Sequence, residues 1–297
     1  MVTSNFQQTI TDLSKNVRIS TISALQLWPK EYASLCEKER GTYRTHKDMG
    51  YEGVGAVPEV AEGANADSKQ LIEGYIESGT HKTFMYEMAF TWEMQTFSEA
   101  NPRLLNMAGQ YQARSGMLTT EYQVANLLTN GFTGTGSGDG QPYFSASHVF
   151  KAGNDYSNLL TAADLDKTSL QTAIQATQTQ VMEYDIPAAL QIKQIVIGTQ
   201  NIFTLPELLK SSLDPESANN TYNVFREYGI GKMLSHYIGD ADAWFVDTNI
   251  NTRTLFDATG IKMWSKVKDN NTLSEFIGLM LGTMFHHQYA SFGNQGA

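Results

Sequence analysis

The run from Asn101 to Phe150 limits the possible folds more than any other stretch. Asn101-Pro102 opens a helix-compatible segment that continues unbroken to Asn130, stops in GFTGTGSGDG and restarts as QPYFSASHVF. Pro102 suits a first helical turn, and Ser98 or Asn101 can cap it. About 29 residues at ~1.5 Å each give a rod of roughly 40 Å, more than twice the average helix length. Leu104, Ala108, Tyr111, Ser115, Leu118, Tyr122 and Ala125 recur at three-four spacing and predict the packed face, with Met107, Met117, Val124 and Leu128 widening the apolar side. Gly109 and Gly116 lie seven apart, so they share a side and can admit a close neighbour. Each also weakens the helix by up to ~1 kcal/mol, which makes a break near Ser115-Gly116 the alternative.

The 297 residues allow one large domain or two modest ones. Hydrophobic residues make up 41%, enough for a core, while charged residues make up only 18%. Polar Gln, Asn, Ser and Thr fill part of that deficit, and a charge-poor surface can bury itself against partners. The net charge of −10 argues against a protein built to neutralise phosphates, since such binding needs clustered Lys and Arg. Cys36 is the single cysteine, so an intrachain disulfide or a thiolate zinc cluster is excluded. The first residues lack a signal-peptide layout. No apolar run reaches the ~18 residues of a membrane helix; the longest, Phe276–Phe285, reads as a buried strand. The expectation is a soluble protein made in the cytoplasm, with no membrane association.

Before the long helix, Thr3 to Asn16 is polar, Leu27-Trp28-Pro29 breaks any helix preceding it, and Lys30 to Arg40 reads as a short helix stopped by Gly41. Thr45 to Trp92 is punctuated by glycines, which excludes a long helix. Within it Phe84, Tyr86, Met88, Phe90 and Trp92 alternate with other residues, a period-two strand. Leu71–Ser78, turning through Ser78-Gly79-Thr80, is the expected partner, so the region predicts a long β-hairpin. A hairpin alone is barely stable in water and must rest on another surface. After the long helix come a helix over Asp164–Tyr184 with caps in Thr161–Asp164, a strand at Ile192–Gly198, and a helix near Leu205–Ser211. A polar loop at Asp214–Asn223 and strands within Lys232–Val246, Gly260–Val267 and Leu273–Tyr289 complete the chain. No βαβ rhythm repeats, so the fold class is α+β.

Candidate chemistry is thin. His286 and His287 are neighbours that a strand would send to opposite faces, and His148 is remote in sequence, so no metal site is expected. Ser145, Ser147 and His148 lie too close in sequence for the aligned contact of a nucleophile and base. The glycines from Gly131 to Gly140 match no phosphate-binding pattern and read as a flexible connector. Neither an enzyme nor a cofactor is expected, although a hydrolase using His148 or His286 is the competing catalytic class.

In this order the strings TTEYQVANLLTNGF, DGQPYFSASH, Tyr156-Ser157-Asn158-Leu159, IKQIVIG, LPELLKSS, Asn219-Asn220 and Ala243-Trp244-Phe245 resemble the major capsid proteins of tailed bacteriophages, the Mu-like major head subunits among them. The likeness covers roughly Tyr43 to the C-terminus. It implies an N-terminal arm over residues 1–44 and an extended hairpin, the E-loop, over 45–92. It also implies a P-domain over 93–188 and 261–297 with the long helix as its spine, and an A-domain over 189–260. The implied function is self-assembly into pentamers and hexamers that form an icosahedral shell round double-stranded DNA, bound without sequence specificity. Portal, scaffold or decoration proteins are the further partners, and the virion is the destination. Shell proteins of bacterial nanocompartments share the fold and are the alternative, as is another phage structural component. The acids Glu59, Glu62, Asp67, Glu73 and Glu77 are the expected inter-subunit contacts, docking the hairpin on a neighbour partly by charge.

Overall fold

The structure, a computed structural model, describes residues 15, 17–66, 68–91, 93–94, 101–134, 136–212 and 222–297, with the backbone alone for 101–106. Asp67, Trp92, Ser98 and most of the polar stretches 3–16 and 214–223 lie outside the described residues. In chain order the elements are α1 (17–27), α2 (Tyr32–Leu35), β1 (Glu37–Arg40), β2 (Thr45–Glu52), β3 (Ile72–Thr80), β4 (Lys82–Phe90), α3 (Asn101–Thr129), β5 (His148–Val149), β6 (Asp155–Tyr156), α4 (Lys167–Thr179), β7 (Ile192–Ile197), α5 (Thr204–Lys210), β8 (Gly231–Leu234), β9 (Trp244–Thr248), β10 (Arg253–Asp257), β11 (Lys262–Val267), β12 (Leu273–Phe285) and β13 (Ser291–Asn294). They form two compact units. The first takes its described residues from 1–44, 80–124 and 255–283, the second from 45–79, 125–254 and 284–297.

The first unit is built on β12. β11 pairs with it antiparallel from Lys262↔Gly278 to Val267↔Leu273, and β4 pairs on its other side from Leu273↔Phe90 to Leu281↔Lys82. The sheet order is β1-β10-β12-β11, with β4 also on β12. Residues of both faces of β12 are buried, which is why it is apolar almost throughout. The expected alternation of β4 holds: Phe84, Tyr86, Met88 and Phe90 are more buried than their neighbours. Its expected partner was wrong, however. β4 belongs to this sheet, and β3 pairs instead with β2.

Helix α3 is continuous, with no break at Ser115-Gly116. Of its predicted face Ala108 and Ala125 are buried, as are Met117, Val124 and Leu128 of the wider apolar side, while the two tyrosines are not. Tyr111 and Tyr122 are exposed, and the inward stripe runs through Ala108, Gln112, Ala113, Met117, Thr120, Glu121, Val124 and Ala125. The close-neighbour reading of the two glycines holds. A Cβ on Gly109 would lie 2.5 Å from the Val17 carbonyl oxygen of α1, and one on Gly116 would meet Ile261 and Ile277 at 2.9 and 3.3 Å. Helix α1, unexpected from the sequence, buries Val17, Thr21 and Ala24 and ends at residue 27, before Trp28-Pro29. Lys30–Arg40 is one helical turn followed by β1, not a single helix. Cys36 turns extended, and the four charged residues of β1 stay exposed as an edge strand. Charge on such an edge blocks pairing with stray strands.

The second unit contains the sheet β13-β9-β7-β8, in which β7 and β8 are parallel and the other pairs antiparallel. All five residues of β9 are buried. Leu170 and Ile174 of α4, Leu205 and Leu208 of α5, and Ile195, Trp244 and Phe292 of the sheet share one core. α4 is shorter than predicted at both ends. Asp166, rather than Thr161–Asp164, caps it through a capping box with Ser169, and Gln180 is already extended. Asn158 is fully buried and uses its whole amide: Oδ1 accepts from Ser145 N at 2.8 Å, and Nδ2 donates to the carbonyls of Tyr143 and Gln288 at 2.8 and 2.9 Å.

On an open helix surface Gly→Ala gains up to ~1 kcal/mol. Gly109→Ala reverses that sign, because the new methyl meets α1 backbone. The expected net loss is about 1–2 kcal/mol, read as a lower urea midpoint.

Candidate functional site

Strands β2 and β3 form a hairpin in the second unit whose connection, residues 53–71, carries little that can form a core. Val57 is 94% exposed, and Val60, Leu71, Glu59 and Glu62 are exposed as well. The hairpin is held at its root by carboxylates. Glu52, the one buried residue of β2, accepts backbone N–H bonds from Lys151 at 2.6 Å and Ala152 at 2.5 Å. Glu183 accepts the N–H of Gly53 at 3.0 Å. Glu77 of β3 accepts from the Gly138 N–H at 2.8 Å, from Gln288 Nε2 at 2.5 Å and from Ser137 Oγ at 3.4 Å. Asp48 of β2 meets His286 Nδ1 at 2.9 Å, and His286 Nε2 meets Thr254 Oγ1 at 2.8 Å.

These groups surround a cavity of about 320 Å³ whose lining includes Asp48, Tyr75, Glu77, Asp139, Tyr156 and His287. At its edge Lys151 Nζ lies 5.1 Å from the centroid of the Tyr75 ring, a cation–π contact. Beneath it Asp139 Oδ2 meets His148 Nδ1 at 2.6 Å, and His148 Nε2 meets the Tyr143 carbonyl at 3.1 Å. The fully buried imidazole thus has a partner at each ring nitrogen. It stacks on Tyr156 with centroids 4.9 Å apart.

Burial works to raise the Asp139 carboxyl, but the hydrogen bonds from His148, the Gln141 N–H and Ser137 outweigh it and hold Asp139 below its ordinary range. Glu77 goes the other way. Burial raises it, with the Asp139 charge adding, and its donors offset only part of that. Burial also raises the Tyr156 hydroxyl, and it lowers His287 with help from His286.

Among the described residues the arrangement anchors a hairpin. His148 has no nitrogen left to serve Ser145 or Ser147. Asp48, His286 and Thr254 line up as an acid–base–hydroxyl row, yet Thr254 is 2% exposed and does not line the cavity. The two histidines lie past the end of β12, not within a strand, and His287 is left-handed with φ 45°. Among the described residues no group of three His, Cys, Asp or Glu could hold a metal ion.

Within the glycine stretch two glycines, Gly131 and Gly138, are fitted against neighbours, while Gly134, Gly136 and Gly140 have open space. A Cβ on Gly138 would stand 2.6 Å from the Ile76 carbonyl, so only glycine lets β3 come this close. Of the acids expected at contacts, Glu59, Glu62 and Glu73 are exposed, Asp67 lies outside the described residues, and Glu77 is turned into its own unit. Sequence reasoning missed Glu52, Asp139, Glu183 and Gln288. Only Asp139, bracketed by Gly138 and Gly140, left a local trace, as a residue at a turn.

The first unit has a buried carboxylate of its own. Glu121 on α3 accepts the Tyr32 N–H at 2.8 Å and so caps α2, whose own N-cap Glu31 supplies no side-chain bond. Nearby, the Arg114 guanidinium lies 5.3 Å from the centroid of the Trp28 ring.

The chain matches solved phage capsid structures along most of its length. The mature capsid of bacteriophage PhiM1 gives a TM-score of 0.57 at 13% identity, covering 91% of this chain and 88% of that one. The capsid of the native GTA particle gives 0.57 at 10% identity, covering 91% of each chain. A Mycobacterium phage Patience structure gives 0.55 at 10% identity, covering 97% of this chain and 87% of that one. No protein-family model and no curated protein matches. The expected α+β capsid fold is therefore observed.

Two outcomes test these anchors. Glu52→Gln keeps one acceptor and loses the charge, so the root weakens by about 1.5–3 kcal/mol and limited proteolysis within 53–71 speeds up. Burial first, then the nearby Glu31 charge, raise Glu121 from 4.5 to about 7 against the pull of the Tyr32 and Glu31 N–H groups. Folded Glu121 thus keeps a proton that the unfolded chain releases. Its contribution is full below pH 4.5 and is lost as pH rises through about 7, by up to about 3 kcal/mol. Glu121→Gln flattens that part of the stability profile, measured by urea unfolding from pH 5 to 8.

Proposed function

We propose that the chain is the major capsid subunit of a tailed phage, assembling with copies of itself into pentamers and hexamers that close an icosahedral shell round double-stranded DNA. The observation that carries this reading is the shared fold with phage capsid structures over about nine tenths of the chain. The hairpin supports it independently. Residues 53–71 expose valines and acids, and their root is fastened by Glu52, Glu77 and Glu183. A tip that buries nothing, on a root bound this firmly, suits reaching out to another molecule.

In this reading residues 1–44 are the arm, 45–92 the E-loop, 93–188 with 261–297 the P-domain and 189–260 the A-domain. Glu59, Glu62, Asp67 and Glu73 offer negative charge to a neighbouring copy, while Glu77 acts at the root. A net charge of −10 suits a wall that must not hold packaged DNA tightly. The subunit works by assembly and not by catalysis. It is made in the host cytoplasm and ends in the virion, where portal, scaffold or decoration proteins can join it. Closed shells of this kind arise from repeated symmetric contacts of one chain with itself.

Size exclusion and negative-stain microscopy of the purified chain test this reading, with rings or shells as the expected result. Replacing residues 54–71 with a short glycine–serine turn leaves a folded protein with unchanged circular dichroism and abolishes closed particles. A stable monomer from the unaltered chain, or normal shells from the shortened one, overturns the reading.

A further inference from the structure

Side chains alternate along β11. Val267 packs against the core of Val17, Phe90, Ala108 and Leu273, and Ser265 Oγ accepts from Arg18 Nη2 at 2.9 Å. Lys262, Trp264 and Lys266 are the exposed set and project from the opposite face. Register extends that face across β12 and β4: Trp264 stands opposite Phe276, Phe276 opposite Glu87, and Gly278 opposite Met85. Among the described residues this face is open, with Met85 at 61% and Met280 at 40% exposure. It is basic in a chain of net charge −10, since residues 261–268 contain Lys262, Lys266 and Lys268 and no acid up to the turn at Asp269. Glu87, the acid on the face itself, is paired with Lys268 and accepts from Ser274 Oγ at 2.6 Å. The face is also aromatic. The Trp264 and Phe276 rings stack with centroids 5.4 Å apart and planes 3° apart, and Trp264 stays 39% exposed. A Cβ on Gly278 would stand 2.9 Å from Trp264 Cη2, so this glycine lets the indole lie across β12. Glycine weakens a strand interior and marks a place of close approach.

We propose that this face binds single-stranded nucleic acid, with an unpaired base laid against Trp264 and the flanking phosphates held by Lys262 and Lys266. The proposal goes beyond the capsid reading, which needs no such contact, and does not depend on it. Each lysine is two residues from the tryptophan, about 7 Å along the strand, so one extended polymer can meet all three. Stacking on aromatic rings and neutralisation of phosphates are the two means by which proteins hold single strands without reading their sequence. A duplex keeps its bases stacked inside and could use the lysines alone. An acidic peptide likewise offers charge to the lysines but no flat ring for every position that reaches Trp264. Two phosphate contacts make weak binding, which suits a chain that is acidic as a whole.

Fluorescence anisotropy of a short labelled oligothymidylate tests this, on the full chain kept below the concentration at which it assembles. Binding is expected at low salt, with log K falling against log salt at a slope of about −1.4, the value for two phosphates on a single strand. Lys262→Gln with Lys266→Gln should bring that slope close to zero and weaken binding by about tenfold or more. Trp264→Ala should weaken it by about fivefold or more and leave the slope unchanged, and Trp264→Phe should recover part of the loss. Lys193→Gln with Lys232→Gln, exposed lysines on β7 and β8, should change neither. Lys262 and Lys266 are exposed, so their pair carries the test even where Trp264→Ala fails to fold. Equal binding of a duplex of the same length overturns the proposal, as does equal competition by polyglutamate. So does binding that survives the lysine pair and Trp264→Phe unchanged, or no binding at all. Shells formed by a chain that gives any of these results leave the capsid reading standing. A chain that binds the oligothymidylate as expected but never forms rings or shells overturns the capsid reading alone.

Discussion

Four glutamates, Glu52, Glu77, Glu121 and Glu183, each place a carboxylate oxygen on a backbone N–H that lies 99, 61, 89 and 130 positions away in sequence respectively. Where the carboxyl is ionised such bonds are stronger than neutral ones; Glu121, which holds its proton up to about pH 7, makes the neutral kind, and in either case leaving a partner buried and alone is costly. They occur where apolar burial is thin: at the root of the hairpin in the second unit, and at the single turn of α2 in the first. Elsewhere large side chains do the work, as in the core shared by α4, α5 and the β7–β9 sheet. The chain thus uses two kinds of fastening. Hydrophobic packing makes the bodies, and bonds from backbone N–H groups to carboxyl oxygens attach the parts that have no core.

This division shows why part of the architecture was legible and part was not. β4 announces itself because its apolar period matches its burial, and β7 and β12 because they are short, nearly continuous apolar runs. α3 is plain as an element, but its orientation is not. Its inward face carries Gly109, Gln112, Gly116, Thr120 and Glu121, while Tyr111 and Tyr122 face water. A reading by side-chain size finds Met117, Val124 and Leu128 but misplaces the tyrosines, because backbone contact at the glycines, not side-chain volume, sets part of the packing. The hairpin misleads for a different reason. Two neighbouring strands with a turn-like tripeptide between them suggest pairing, yet β3 pairs backward with β2 and β4 goes to another sheet. Adjacency in sequence is a local signal, whereas strand pairing is settled by which faces need covering.

The anchoring groups were the least legible of all. Glu52 lies in THKDMGYE, a strand with no apolar rhythm, and nothing in that string separates it from Asp48. What makes Glu52 structural is the pair of amides at Lys151 and Ala152, a relation that spans about a hundred positions. His148 shows the opposite case. Its neighbourhood with Ser145 and Ser147 suggested chemistry, and the partner that defines it, Asp139, sat in a stretch that looked like a linker.

The glycines of α3 carry a mechanical consequence. At Gly109 the helix backbone lies against the backbone of α1, and two turns later, at Gly116, against the side chains of Ile261 and Ile277. A turn of the helix about its own axis by a single residue, roughly 100°, would drive a side chain into each of those places. The helix is therefore keyed like a shaft in a slot. Torque is opposed most at Gly109, where the neighbour is backbone, and less at Gly116, where the ends of two isoleucine side chains can give.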